Sequence, residues 1–164
     1  GTLSRLRHLA LDVKPSQLPQ LTHLPAALEV LRVNVARGLD DSGEVAWRPE
    51  EVRGGKPDLC RVLEAAGRLP LLRTLNIHAP GMELHHGVLV GQLGGRLDTL
   101  ADLEVSCSDM QLHDVAALGT LPGLLRLNAW GLSGSSRAIE KLAEQHSCRG
   151  LEIEVYYSRL HFHP

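Results

Sequence analysis

The sequence predicts an α/β fold in which short parallel strands alternate with helical segments. Three observations support this class. The motif L-x-x-L-x-L recurs along the chain, and within each copy apolar and polar residues alternate, as they do in a strand with one buried face. Between the copies, apolar residues instead follow the i, i+3, i+4, i+7 spacing of a helix.

Six copies of the motif define the expected strands. Their middle residues, each expected near a strand centre, are Leu9, Leu31, Leu75, Leu103, Leu127 and Leu151. The steps between them are about 22, 44, 28, 24 and 24 residues, close to the period of a repeated strand–helix unit except for one doubled gap. Because such a unit cannot bury its apolar face alone, the units are expected to stack, with parallel strands in chain order.

Helices are expected on the return path from one strand to the next. In the clearest of them Leu59, Val62, Leu63 and Ala66 form an apolar stripe that stops at Gly67. The expected helical ranges are 58–66, 111–118 and 136–146.

On these six motifs and their spacing, the chain resembles the leucine-rich repeat family over nearly its whole length. The resemblance implies one domain at residues 1–164, built as a solenoid with strands on a concave face and helices on a convex face. The family's Asn or Cys in the turn after each strand has no counterpart here, so helix packing is expected to hold the turns. The corresponding positions are Lys14, Ala36, Pro80, Ser108, Leu132 and Tyr156.

The doubled gap between the second and third motifs is predicted to contain an inserted loop at about residues 36–57, rich in Gly, Pro, Asp and Glu. A degenerate repeat is the alternative, because the gap is twice the first spacing. Trp47 in this segment is expected to pack back onto the domain, and anchoring a partner is its alternative role.

Composition restricts the classes of partner and the compartment. A net charge of −2 creates no strong field, so neither nucleic acid nor membrane is expected as a partner. Cys60, Cys107 and Cys148 lie far apart without a C-x-x-C motif, which favours a cytoplasmic (intracellular) location. The chain begins without Met in the middle of the apolar pattern, and it is expected to be a fragment of a longer protein.

The sequence motifs that could indicate a catalytic, cofactor or metal site match their patterns poorly. The chain is therefore expected to be neither an enzyme nor dependent on a cofactor or metal. His85 and His86 would point apart on a helix, and His161 and His163 lack a second ligand pair nearby. The Gly/Ser loop at 131–137 lacks phosphate-loop spacing and is typical of a turn with a serine N-cap.

Function is therefore expected on the strand residues that point away from the core. Asn76 lies between Leu75 and Ile77, and it must either keep the sheet face soluble or contact a partner. The predicted partner-binding residues are Arg32, Asn34, Asn76, His78, Glu104, Arg126, Asn128, Trp130, Glu152 and Glu154.

In-phase stacking arranges these residues in rows across the strands. One expected row is Arg32, Asn76, Glu104, Asn128 and Glu152, and the next is Asn34, His78, Ser106, Trp130 and Glu154. A preceding row puts Asp102 beside Arg126. Trp130 is the expected anchor for a partner. Alternatively, the Trp130 side chain folds over the loop at 131–136. The acidic residues favour a basic segment in the partner.

The family resemblance implies a non-enzymatic protein–protein interaction module that uses the concave face. Two alternatives stay open at this point. In the first alternative the chain is the substrate-recognition part of an F-box-type ubiquitin-ligase receptor or of an immune-type sensor. In the second it is a structural subunit of a large assembly. A subunit of the second kind would expose large apolar areas when isolated.

Overall fold

The computed structural model describes residues 5–35, 61–83, 98–133, 140–141, 144 and 150–157. The strands are β1 (His8–Val13), β2 (Val30–Val35), β3 (Thr74–Glu83), β4 (Asp102–Gln111), β5 (Arg126–Ser133) and β6 (Glu152–Tyr157). A 3₁₀ helix spans Pro15–Thr22, α1 spans residues 61–67, and α2 spans Leu112–Leu118. Residues 140, 141 and 144 are also helical.

The six strands form one sheet in the order β1-β2-β3-β4-β5-β6, and every neighbouring pair is parallel. The predicted α/β class, the parallel pairing and the chain-order arrangement are confirmed. Such pairing follows from the sequence because every strand is separated from the next by a return segment, which brings the chain back to the end of the sheet where the strands begin.

The register aligns the middle motif residues as one apolar row across the sheet. That row is Leu9, Leu31, Leu75, Leu103, Leu127 and Ile153. The prediction of Leu151 for the sixth position is wrong, since Leu151 lies buried just before β6 and Ile153 pairs with Leu127. The motif failed there because the alternation Leu151, Ile153, Val155 fits two registers that differ by two residues.

The hydrophobic core lies between this side of the sheet and the helices. Leu75, Leu103 and Leu127 are at most 1% exposed, and they share a cluster with Leu63 of α1 and Leu118 of α2. Branched apolar residues at a two-residue period on the strands therefore meet the stripes of the helices, and one face of the sheet is closed to water.

Successive turns are linked by the same pair of backbone hydrogen bonds just before β2, β3, β4 and β5. The carbonyl of Glu29 accepts from the N–H groups of Arg73 (2.8 Å) and Thr74 (3.1 Å), and the carbonyl of Arg73 accepts from those of Ala101 and Asp102 (both 2.9 Å). Equivalent pairs precede β2 and β5. This recurrence satisfies the backbone groups at the strand starts and sets the strands in register.

The predicted helices agree with the structure except at Gln111, which the predicted range 111–118 includes but which is the last residue of β4. Residues 61–67 and Leu112–Leu118 are helical, and residues 140, 141 and 144 are helical within the third predicted range. The predicted loop at 36–57, with Trp47, lies outside the described residues. Cys107 is a buried thiol in β4, and no helix in the described part of the chain is long and apolar enough to span a membrane.

Gly123, in the turn before β5, lies against the backbone of the preceding turn. A Cβ atom at this position would overlap the carbonyl oxygen of Asp98 and lie 3.3 Å from that of Leu100. We expect Gly123→Ala to lower the free energy of unfolding by about 1–3 kcal/mol, because the two turns would have to separate. Urea denaturation measures this loss.

Leu71 provides the matched control for that substitution. It occupies the equivalent place in the L-P-x-L turn before β3, but its side chain is 49% exposed. Leu71→Ala is expected to change the free energy of unfolding by less than about 0.5 kcal/mol. Equal losses in the two variants would contradict the close approach at Gly123.

Candidate functional site

The sheet side opposite the core presents three rows of side chains, which together are called the exposed face. The first row is His8, Val30, Thr74, Asp102, Arg126 and Glu152. The middle row is Ala10, Arg32, Asn76, Glu104, Asn128 and Glu154. The third row is Asp12, Asn34, His78, Ser106, Trp130 and Tyr156. Because neighbouring strands are about 4.8 Å apart, each row forms a continuous strip.

All ten residues predicted to bind a partner lie on the exposed face, and each side chain is exposed or half-buried. Two of them occupy a different row from the one expected. Glu152 lies beside Arg126, and Glu154 lies beside Asn128. The misplaced sixth motif explains both errors, and it also explains why the sequence pattern predicts a turn at Tyr156, the actual neighbour of Trp130.

Arg126 forms a charge bridge across three strands. Its Nη1 lies 3.2 Å from Asp102 Oδ1, as their expected pairing implies, and its Nε lies 3.4 Å from Glu152 Oε2. The Arg126 side chain is 57% exposed, so this bridge adds little to stability. Its effect is to neutralise part of the negative charge of the first row.

Trp130 and Tyr156 stack on each other above β5 and β6. Their ring centroids are 3.7 Å apart and their planes differ by 9°. The two residues are 40% and 38% exposed. Stacking of this kind covers one side of each ring, and it leaves a substantial aromatic surface in contact with water on an otherwise polar face.

Glu154 is hydrogen-bonded to the tyrosine of this stack. Tyr156 Oη donates to Glu154 Oε2 over 3.0 Å. This hydrogen bond, together with the negative charges of Glu154 and Glu104, raises the pKa of Tyr156 above 10.0. The phenol therefore stays neutral at any pH at which the protein is expected to work.

We expect Glu154→Gln to lower the pKa of Tyr156 towards its ordinary value, since the charge that opposes the phenolate is removed. Absorbance of the tyrosinate ion during a pH titration measures this change, with Tyr157→Phe as the background so that one tyrosine titrates. The raised pKa stabilises the fold below pH 10.0, and this contribution is lost as the pH rises through the raised value. An unchanged midpoint in the Glu154 variant would contradict the contact.

A shallow groove of about 340 Å³ lies over β1 to β4 of the exposed face. Its polar lining residues are Asp12, Arg32, Asn34, Asn76, His78 and Glu104. Asn34 Nδ2 donates a 2.7 Å hydrogen bond to Asp12 Oδ1, whereas Arg32 forms no ion pair with any residue that the structure describes. The groove thus offers an exposed guanidinium to a partner.

A second depression of about 260 Å³ continues from this groove towards β5. It is lined in part by Asn76, Glu104 and Asn128. Asn128 Oδ1 is buried there, and it accepts no hydrogen bond from the described part of the protein. An acceptor left in this state is costly to bury.

The described residues hold no group of three or more His, Cys, Asp or Glu side chains positioned to bind one metal ion. His85, His86, His161 and His163, considered above as ligands, lie outside those residues, as does most of the Gly/Ser loop at 131–137. Among the described residues, the exposed face presents aromatic surface, carboxylates, amides and the guanidinium of Arg32.

Comparison of the chain with protein-family models, with curated proteins and with solved structures finds no match. The resemblance to leucine-rich repeats therefore rests on the motifs of the chain itself.

Proposed function

We propose that this chain is a non-enzymatic protein–protein interaction module of the leucine-rich repeat type, and that its partner docks across the exposed face. The observation that carries this proposal is the Trp130–Tyr156 stack, in which two large aromatic side chains remain exposed with no core to fill. Trp and Tyr are the residues most enriched among those that dominate binding energy at protein interfaces.

A solenoid is the architecture that we propose for the stacked units. Its support is the recurrence of one local geometry: the apolar row led by Leu31 and Leu75, and the paired hydrogen bonds from one turn to the next. In such a stack each unit contacts its neighbours, and the strand residues that point outward form the concave face. The exposed face would then be that concave surface.

Charge favours a basic segment as the part of the partner that lies over β4 to β6. Asp102, Glu104, Glu152 and Glu154 supply four negative charges to this half of the exposed face, and Arg126 supplies one positive charge, which leaves −3. Complementary charge would speed association and discourage acidic partners.

A permanent structural subunit is the less favoured function. Among the described residues, the large hydrophobic side chains that are well exposed are Leu71, Leu125, Trp130 and Tyr156. Two of these form the stack, and the other two lie in turns outside the exposed face, so they do not form the broad apolar area that a permanent interface needs. The cytoplasmic location is likewise a proposal, supported by the buried Cys107 thiol and the sparse cysteines.

Photo-crosslinking tests the proposed function and identifies the partner. A photoreactive amino acid at Asn76, in the middle row, should form an adduct with the partner in lysate of the source cells. The same amino acid at Arg61, exposed on α1, is the matched control and should form none. An adduct at Arg61 with none at Asn76 would place the binding surface on the helices and contradict the proposal.

A further inference from the structure

Five side chains from three neighbouring strands surround one end of the exposed face. Trp130 and Tyr156 provide the stacked rings, Glu154 lies hydrogen-bonded beside them, and Glu104 is close enough that its charge acts on the Tyr156 phenol. Asn128 lies between the two carboxylates in the middle row. This set is called the aromatic–acidic corner.

The carboxylates of the corner are available to a cation. Arg126 is engaged by Asp102 and Glu152 of the first row. Glu154 accepts its hydrogen bond from the neutral phenol of Tyr156, and neither Glu154 nor Glu104 forms an ion pair with a described residue. Two negative charges beside exposed aromatic rings therefore lack a positive counterpart among the residues that the structure describes.

We propose that the aromatic–acidic corner is a docking site for an arginine side chain of the partner, an inference that rests on the proposed protein-binding function. The guanidinium stacks on the outer surface of the Trp130–Tyr156 pair and donates hydrogen bonds to Glu154. Its remaining N–H groups face Glu104 and the amide of Asn128.

Arginine fits this site better than lysine for three reasons. Its guanidinium is planar and stacks on aromatic rings, whereas an ammonium group does not. It presents several donors in a fixed fork, which suits a carboxylate with a second acceptor nearby. It is also more weakly hydrated than an ammonium group, so less hydration is lost when it lies on a ring surface.

The charge of the corner also excludes other ligands that stack on aromatic rings. A nucleotide base would stack on the same rings, but its phosphates would meet Glu104 and Glu154. The same repulsion disfavours acidic peptides. A basic peptide is the ligand class for which both the rings and the carboxylates are favourable.

The test uses three synthetic peptides that differ at one residue type: a run of three arginines, of three lysines or of three citrullines, each between glycines and with blocked termini. Binding to the immobilised chain is measured by surface plasmon resonance. We expect the arginine peptide to bind about tenfold more tightly than the lysine peptide. Citrulline keeps the shape of arginine without its charge, and its peptide should show no binding.

Two variants and one control assign the binding to the corner. Trp130→Leu and Glu154→Gln should each lower the affinity for the arginine peptide by about fivefold or more. Glu29→Gln removes a carboxylate that is ion-paired with Arg7 just before β2, and it should leave the affinity unchanged. Both corner residues are exposed, so the variants are expected to stay folded, which urea denaturation checks.

Equal affinity for the arginine and lysine peptides, or arginine binding that both corner variants retain, would overturn the assignment. Failure of the arginine peptide to bind would overturn it as well. Each of these results leaves the proposed function intact if the crosslinked partner still attaches at Asn76, so the two proposals fail separately.

Discussion

Replacement of Leu103 by Ala is expected to lower the free energy of unfolding by about 2–5 kcal/mol. Leu103 is 1% exposed, and it lies between Leu75 and Leu127 in the apolar row that crosses the sheet. Truncation would remove buried methyl groups and leave a cavity that a sheet held on both sides cannot close. Urea denaturation followed by circular dichroism measures the loss.

Leu125→Ala is the matched control, because the same atoms are removed from a leucine that is 60% exposed. Its expected loss is below about 1 kcal/mol. Since each unit contacts its neighbours, the Leu103 variant should also lose amide-exchange protection in β3 and β5. A loss below about 1 kcal/mol for Leu103→Ala would mean that this row is not the core of the fold.

The double variant Trp130→Ala with Glu154→Lys is expected to abolish capture of the partner while the chain stays folded. The first change removes the exposed aromatic surface, and the second reverses the charge beside it. Large aromatic anchors typically account for 2 kcal/mol or more of binding energy, about a thirtyfold loss of affinity, and charge reversal adds repulsion of a basic segment. Quantitative pull-down of the partner identified by crosslinking measures the effect.

Arg68→Ala is the control for that experiment. Arg68 follows α1 and is ion-paired with Glu64 on the helical side of the sheet, so its removal should leave capture unchanged. The urea midpoints of all three proteins establish that they are folded. Undiminished capture by the folded double variant would move the binding site to the helices or to the segment at 36–57.

The order and direction of the strands were predictable because alternation and spacing repeat. Leu31, Leu75, Leu103 and Leu127 each have the same relation to the strand that contains them, and all four occupy the second position of a strand. A pattern that is repeated several times restricts the arrangement far more than one apolar run does, because each copy must fit its neighbours.

The sixth strand shows where the same reasoning failed. Leu151, Ile153 and Val155 alternate without a break, so the motif alone fits equally well with Leu151 or with Ile153 beside Leu127. The turn decides between them, since the N–H of Glu152 donates to the carbonyl of Leu125 and thereby sets Ile153 opposite Leu127. Alignment of the turn before β6 with the turn before β5 distinguishes Leu151 from Ile153 as the partner of Leu127.

Because of this two-residue error in register, the sequence did not predict the pairing of Trp130 with Tyr156, the most informative feature of the candidate site. The error placed Glu154 beside Trp130, where the structure has Tyr156. The face of the sheet was still predicted correctly, because a shift of two residues keeps each side chain on the same side. The register is needed to predict which residues lie side by side on neighbouring strands, whereas the alternation alone predicts the side of the sheet on which each residue lies.

The claim that function lies on the exposed face is tested most directly by hydroxyl-radical footprinting of the chain with and without its crosslinking-identified partner. This method reports the solvent exposure of individual side chains. In the free chain Trp130, Tyr156, Leu71 and Leu125 should all be oxidised, since each is more than a third exposed. In the complex, Trp130 and Tyr156 are expected to become protected while Leu71 and Leu125 stay reactive. Protection of the two leucines with unchanged oxidation of the aromatic pair would contradict the account.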